Sequence, residues 1–416
     1  MKDHKFHPES LMMSYGYKPE WSEGAIKCPI FQTSTFVFSK AEEGKAFFEV
    51  AYGLRDKGEK EKTGLIYSRI NNPDLEILEN RLSLWDKAEE AAVFESGMSA
   101  ITTVFLELLR PGDLLLFSSP VYGGTDHFIR HFLNQMDIQA VEFTPQDTEE
   151  AIRQRIEDSG RGHKLKLVYV ETPANPTNTL IDLRMCRALA DYFQGPDNPE
   201  VVLAVDNTYM GPLWQHPLDH GANLSIYSAT KYIGGHSDVI AGAICGSSVM
   251  IKRLKVLRTF LGNMCGPWTG WLLLRSLETL VVRMERQTHN AQKVAAFLNK
   301  HPKVTKVYYP GLLSEKDGKQ YEIYQRQCLS PGAMISFDIN GGEAEAFDFL
   351  NKLKMVKMAV SLGSTESLAE HPASMTHAGV DPRHRAEMGI SDKMIRLSVG
   401  VEHSDDLIWD IQQALG

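Results

Sequence analysis

Apolar positions along the 416-residue chain follow two rhythms. The first is the short unbroken run: Leu114–Ser118, Ile138–Phe143, Lys166–Val170, Val201–Val205, Leu224–Tyr227 and Ile240–Cys245, each bounded by Pro, Gly, Asp or Asn. Runs of this length without a polar face predict strands buried on both sides. The second rhythm has helical spacing. Leu75, Leu78, Leu82, Leu84 and Trp85 open a stretch from about 74 to 110 that reads as helical throughout. Residues 271–300 read as one long helix ending near Pro302. Strands alternating with helices predict an α/β fold with a doubly wound, mostly parallel sheet. Further on, strands Ala333–Asp338 and Met394–Ser398 mix with helices Glu343–Lys354 and His403–Leu415, which predicts an α+β C-terminal domain. Residues 1–66 have neither rhythm and read as an irregular arm, with a charged insert from Arg55 to Lys62. The expected organisation is an arm (1–66), an α/β domain (67–270) and a C-terminal domain (271–416).

Composition narrows the picture. A hydrophobic content of 43% supports a large core. The net charge of −9 argues against a general affinity for nucleic acid. Apolar runs such as Trp271–Leu274 are far too short to cross a bilayer, so no membrane partner is expected. Met1–Ser14 is polar and charged, without an apolar stretch of signal-peptide type. The five cysteines (Cys28, Cys186, Cys245, Cys265, Cys328) are odd in number, scattered, and lack metal-ligand spacing. No metal site and a reducing, cytoplasmic setting are therefore expected.

Four segments carry candidate chemistry. Ser228-Ala229-Thr230-Lys231 follows a predicted strand and sets a lysine among small hydroxyl residues and glycines. An amine nucleophile needs low bulk and a way to lose its proton. Val201–Val205 ends in Asp206, a carboxylate at the strand end where α/β folds place ligands. Glu95-Ser96-Gly97-Met98 precedes a helix and could put N–H groups on an anion. Pro120-Val121-Tyr122-Gly123-Gly124 offers close backbone approach and a tyrosine that could stack on a flat ring. Each has a plainer reading alone: a turn lysine, a capping Asp, an N-cap, a core tyrosine.

Together with Ile66-Tyr67-Ser68-Arg69, Asn72-Pro73, Glu171-Thr172-Pro173-Ala174-Asn175-Pro176, Ser361-Leu362-Gly363, His371-Pro372-Ala373-Ser374-Met375-Thr376-His377 and Arg396-Leu397-Ser398-Val399-Gly400, these segments fall in one order. In that order the chain resembles the Cys/Met-metabolism pyridoxal-phosphate enzymes, the transsulfuration group of fold type I, from about residue 25 to the C-terminus. The resemblance implies a fold type I, PLP-dependent transferase-like architecture and pyridoxal 5′-phosphate as cofactor. It implies Lys231 as the Schiff-base lysine and later proton carrier, Asp206 on the pyridine nitrogen, and Tyr122 over the ring and near the leaving group. Gly97, Met98, Ser228 and Thr230 would hold the phosphate. Tyr67 and Arg69 would reach the phosphate from a neighbouring subunit, which implies a homodimer at least and usually a homotetramer. Arg396 would bind the substrate carboxylate as a planar fork. Asn175 and Ser361 would help hold the cofactor hydroxyl and the amino-acid substrate.

Ile66 and Val360 stand where similar cystathionine enzymes carry Glu, and His127 stands where cystathionine lyases often carry Arg. A distal ammonium would find no partner at these positions. This points to γ-elimination of methionine γ-lyase type, with 2-oxobutanoate and ammonia released. Gly124 in place of a Cys, and His236-Ser237-Asp238, pull toward the cystathionine group. The alternatives are γ-replacement, of cystathionine γ-synthase or O-acetylhomoserine sulfhydrylase type, and an aminotransferase of the same fold. Asp126 is expected to be a solvated surface residue, His236, His371 and His377 to be structural, and the cysteines to be inert, with Cys265 the one that could lie near the substrate mouth.

Overall fold

The computed structural model of the protein describes residues 4–58 and 64–416. Twelve strands among them form two sheets. The first sheet holds β1 (Glu90–Phe94), β2 (Leu114–Ser118), β3 (Gln139–Phe143), β4 (Leu165–Glu171), β5 (Val202–Asp206), β6 (Leu224–Ser228) and β7 (Gly242–Gly246). Its order is β1-β7-β6-β5-β4-β2-β3. The pairs from β6 to β3 are parallel, and β7 runs antiparallel to both β6 and β1. This is the expected α/β sheet with one reversed strand near an edge.

The continuous apolar runs explain the layers. Leu115 and Phe117 of β2 pack in a cluster with Phe105, Tyr169 and Ile226. Leu114 and Leu116 of the same strand pack on the opposite face with Val168, Leu203 and Leu189. Alternate side chains thus enter opposite layers, as the pleat requires, and neither can be polar without cost.

The second sheet holds β8 (Val304–Tyr308), β9 (Met334–Ile339), β10 (Lys357–Met358), β11 (Leu368–Glu370) and β12 (Met394–Ser398), in the order β10-β11-β12-β9-β8. Helices Glu343–Lys352 and Ser404–Leu415 pack with it, and Phe337, Phe349, Ile395 and Ile411 share one core.

Three expectations are corrected. The stretch 74–110 is not one helix: helices Pro73–Asp86 and Gly97–Leu108 flank β1. Its sequence, Glu-Ala-Ala-Val-Phe, is rich in helix formers, yet all five residues pair with β7, so tertiary pairing overrides propensity. The predicted helix 271–300 is two, Pro267–Leu277 and Leu280–Leu298, broken at Glu278–Thr279. Finally, residues 1–66 are not wholly irregular, because Ala41–Ala51 is a helix. The charged insert 55–62 lies outside the described residues from 59 onward.

A helix of the C-terminal half is tied to the lysine-bearing segment. Arg283 is buried on helix Leu280–Leu298 and donates from Nη1 to the Tyr232 carbonyl (2.8 Å) and from Nη2 to the Ser276 carbonyl (3.0 Å). Gly235 has φ +70°, and a Cβ there would collide with the Arg283 guanidinium.

Candidate active site

Four neighbouring parallel strands end side by side in polar residues. β2 ends at Ser118, β4 at Glu171, β5 at Asp206 and β6 at Ser228. This edge is the ligand-binding edge of an open α/β sheet. A cavity of about 620 Å³ opens over it, lined by Gly97, Met98, Tyr122, Asn175, Asp206, Ser228, Thr230, Lys231, Val360, Ser361 and Arg396. Eleven residues singled out from the sequence therefore meet in one place, drawn from both sheets.

The floor is buried and strongly charged. Asp206 Oδ1 accepts from the Thr208 hydroxyl (2.6 Å) and the Thr208 N–H (3.0 Å), and Oδ2 accepts from the Tyr169 hydroxyl (3.3 Å). Burial raises its pKa, while the Thr208 and Tyr169 hydrogen bonds and Lys231 oppose that. Glu171 lies across the β4–β5 pairing from Asp206. It accepts from the Tyr122 N–H (2.6 Å) and the Asn175 N–H (3.1 Å). Burial and the Asp206 charge push its pKa up to about 8. Lys231 Nζ donates to the Ser361 hydroxyl at 2.9 Å. Burial, then the Arg396 charge, push the lysine down to about 8, so an appreciable share is neutral amine near physiological pH.

The opposite wall comes from the second sheet. Arg396, on β12, donates from Nη1 to Asn175 Oδ1 (3.1 Å) and from Nη2 to the Ser361 carbonyl (2.8 Å). Its Nε is buried and has no acceptor among the described residues. The Tyr209 hydroxyl also donates to Asn175 Oδ1, at 2.5 Å.

The donor set fits pyridoxal phosphate. Asp206 is a buried carboxylate suited to a protonated pyridine nitrogen, and Lys231 is an amine suited to the aldehyde carbon. The 12-residue helix Gly97–Leu108 starts at the cavity. A Cβ at Gly97 would stand 2.7 Å from Ser228 Cβ, so glycine alone lets the helix N-terminus approach Ser228 this closely. With the Ser228 and Thr230 hydroxyls it forms a cradle for a phosphate.

Tyr67 and Arg69 do not line this cavity. Arg69 lies over the Tyr67 ring, 5.5 Å from its centroid, and donates to the Thr259 carbonyl at 2.8 Å. Among the described residues that line the cavity, the cations are Lys231 and Arg396, and neither is one of the residues of the phosphate cradle.

Asp126 corrects an expectation. It is buried, and its carboxylate pairs with Arg130 Nε at 2.8 Å, one helical turn on. The pairing satisfies it within its own helix, so it is neither solvated nor turned to the cavity. Cys265 is likewise not at the substrate mouth: it lies in the core, where burial pushes its thiol up to about 12. His371 bridges the Ser374 hydroxyl and the Asp392 carbonyl, and His236 meets the Gly234 carbonyl. His377 is buried beside Thr376, and burial, aided by Arg396 and Arg385, lowers it to about 4. His127 packs on His131, 4.3 Å between ring centroids.

Sequence reasoning assigned no role to Glu171, Thr208, Tyr209 or Glu370. A signal for Glu171 was present: Val-Tyr-Val-Glu and Leu-Ala-Val-Asp are two apolar runs ending in an acid, as parallel neighbours facing one cleft would.

The profile of the Cys/Met metabolism PLP-dependent enzymes matches residues 9–416. The L-methionine gamma-lyase of Pseudomonas putida is 38% identical over 403 residues, 96% of this chain and 95% of that protein. The cystathionine gamma-lyase of Bacillus subtilis (strain 168) is 37% identical over 408 residues, covering 98% of each. Among solved structures, cystathionine gamma synthase from Xanthomonas oryzae pv. oryzae, in complex with aminoacrylate and cysteine, superposes with a TM-score of 0.86. It shares 32% identity over 99% of this chain and 98% of that one.

Proposed function

As a member of the Cys/Met metabolism PLP-dependent enzyme family, the chain is a carbon–sulfur lyase or γ-replacement enzyme, and we propose that its reaction is γ-elimination on an L-homocysteine- or L-homoserine-derived amino acid, methionine first. The carrying observation is the distribution of charge in the cavity. Among the described residues that line it, the only carboxylates are Glu171 and Asp206, both buried at strand ends. The solvent-facing side presents Ile240 and Val360, 67% and 54% exposed. A thioether suits that side, whereas the distal ammonium of cystathionine would face apolar groups there. The L-methionine gamma-lyase relatives support the same reading.

Pyridoxal phosphate, when bound, supplies a ring that stabilises negative charge on the substrate carbons. Asp206 keeps the ring nitrogen protonated. Gly97, Met98, Ser228 and Thr230 hold the phosphate, and Asn175 helps hold the cofactor hydroxyl. Arg396, with Asn175 and Ser361, binds the substrate carboxylate and fixes its orientation. Lys231 would take the α-proton as a neutral amine, which its lowered pKa permits. A β-proton follows. The Tyr122 hydroxyl then gives a proton to the departing γ-substituent, so a thiol leaves rather than a thiolate. Val360 sets the apolar wall at that end. Hydrolysis of what remains yields 2-oxobutanoate and ammonia.

Among the described residues of its own chain the phosphate cradle has no cation, so Tyr67 and Arg69 of a second copy complete it. The active unit is then a homodimer, with a homotetramer as the full assembly. γ-Replacement is the second reading, supported by the likeness to the Xanthomonas oryzae synthase at a TM-score of 0.86.

The test is an ammonia-release assay on cofactor-loaded protein. Substrates are L-methionine, L-cystathionine, L-canavanine and O-acetyl-L-homoserine, each with and without added thiol. The expected result is ammonia and 2-oxobutanoate without thiol, fastest with methionine. Overturning results are a new sulfur amino acid only when thiol is present, which means replacement, and stoichiometric 2-oxo acid exchange without ammonia, which means transamination.

A further inference from the structure

Arg396 has a buried acidic neighbour that the reaction does not use. Glu370, on β11, lies directly across the antiparallel pairing from Arg396 on β12. Opposed residues of such a pair project to the same face of the sheet. Glu370 is fully buried, and its Oε1 is 2.8 Å from Arg396 Nη1. The Thr376 hydroxyl donates to the same oxygen at 3.1 Å.

A guanidinium has five N–H groups in one plane. Glu370 and Asn175 engage Nη1, and the Ser361 carbonyl takes one hydrogen from Nη2. That leaves Nε–H without an acceptor among the described residues, beside Nη2 with the Ser361 carbonyl. Two donors on adjacent nitrogens match the two oxygens of a carboxylate. We propose that Glu370 is the positioning residue of the carboxylate subsite: by clamping Nη1 it holds the Nε–Nη2 edge of Arg396 toward the amino acid's carboxylate. This rests on the reading of Arg396 as that subsite.

The alternative placement of the arginine shows what the clamp prevents. The Arg396 charge already acts on Glu171, across the cavity. Without Glu370, Glu171 and Asp206 are the carboxylates left to draw the guanidinium inward, over the floor. A buried ion pair of this kind contributes little to stability and much to geometry when its partners have no other arrangement. Glu370 does not line the cavity; it meets the site through its pairing with Arg396, and its charge also reaches Lys231, where it opposes the lowering by burial.

The test compares holoenzyme with Glu370→Ala, Glu370→Gln, Glu370→Asp and Arg396→Ala. Each is titrated with L-norvaline and L-norvalinamide, which lack a γ-leaving group and differ only in the carboxylate. The affinity ratio is read from the cofactor's absorbance and circular dichroism. Glu370→Ala is expected to lose about thirtyfold of the preference for the carboxylate, the lower end of the scale for truncating one partner of a buried charge pair. KM for the best substrate should rise by a similar factor while kcat changes by less than about threefold. Glu370→Gln, which keeps an oxygen for Nη1, should recover most of the preference. Glu370→Asp, one methylene short, should fall between and serves as the probe if the alanine variant does not fold. Undiminished carboxylate preference in the alanine and aspartate variants overturns the inference, and so does a kcat loss without a KM change. If Arg396→Ala itself keeps the preference, the carboxylate reading of Arg396 fails, whatever the Glu370 variants do.

Discussion

The sheet edge that forms the cavity floor and the N-terminal arm treat their side chains in opposite ways. On the floor, Asp206, Glu171 and Asn175 are buried, and each has hydrogen-bond partners from its own chain. In the arm, Trp21, Ile26 and Val37 stand in water, with Ile26 82% and Val37 95% exposed. Tyr67 and Arg69, just past the arm and expected to serve a neighbouring subunit, do not line their own chain's cavity, and Tyr67 is exposed. In the proposed reading one chain builds the chemistry and a second copy supplies the phosphate's countercharge. Apolar groups left exposed at such density mark a surface for another protein chain. In the proposed reading that chain is a second copy, and the arm is both its interface and its contribution to the neighbour's site.

The sharpest way to break the comparison is to disable the floor alone. Lys231→Ala should lower ammonia release by about a thousandfold or more, the loss expected when a positioned proton carrier goes. Its far-ultraviolet circular dichroism should match that of the parent protein. Full activity in this variant would remove Lys231 from the reaction.

A smaller effect is expected at the arm. Arg69→Ala should weaken cofactor retention by about tenfold or more, the scale of one charge-assisted hydrogen bond. Mixing it with Lys231→Ala, under conditions where subunits exchange, should restore activity to sites built from one good floor and one good arm. No recovery, with exchange verified by differently tagged subunits, would mean that the arm serves its own chain or none.

The smallest effect concerns stability rather than rate. His377 sits behind the Arg396 wall, its pKa held near 4 against an ordinary value of 6.5. The folded state therefore favours the neutral ring. The sign follows: the unfolded chain takes up a proton first as pH falls, so this contribution is whole above about 6.5 and is lost between 6.5 and 4. The loss is on the order of 3 kcal/mol at its limit. His377→Asn should flatten the urea-midpoint profile over that pH window, and an unchanged slope would assign the acid sensitivity elsewhere.

Much of the floor was legible because strand ends announce themselves. A run such as Leu-Ala-Val-Asp can only bury its apolar residues by entering a sheet, and its acid then falls at the ligand-binding edge. The lysine segment and the Gly97 turn were legible for the same reason. What stayed hidden depends on pairing in space. β1 was read as helix because Ala-Ala-Val favours either state until β7 decides it. Asp126 looked solvated because its partner Arg130 counts as exposed chemistry in one dimension. Glu370 and Arg396 are separated by 25 intervening residues, and only the β11–β12 register brings them face to face.

Arg283 carries a consequence for how the molecule comes apart. Its guanidinium fastens the turn just after Lys231 to a helix of the C-terminal half, and Gly235 leaves it no room to do otherwise. Burial lowers even this arginine to about 10, so the cost of holding it is already built into the native state. Loosening the turn after Lys231 therefore costs the Arg283–Tyr232 hydrogen bond, and so does detaching the helix that carries Arg283, so a disturbance of either is felt by the other.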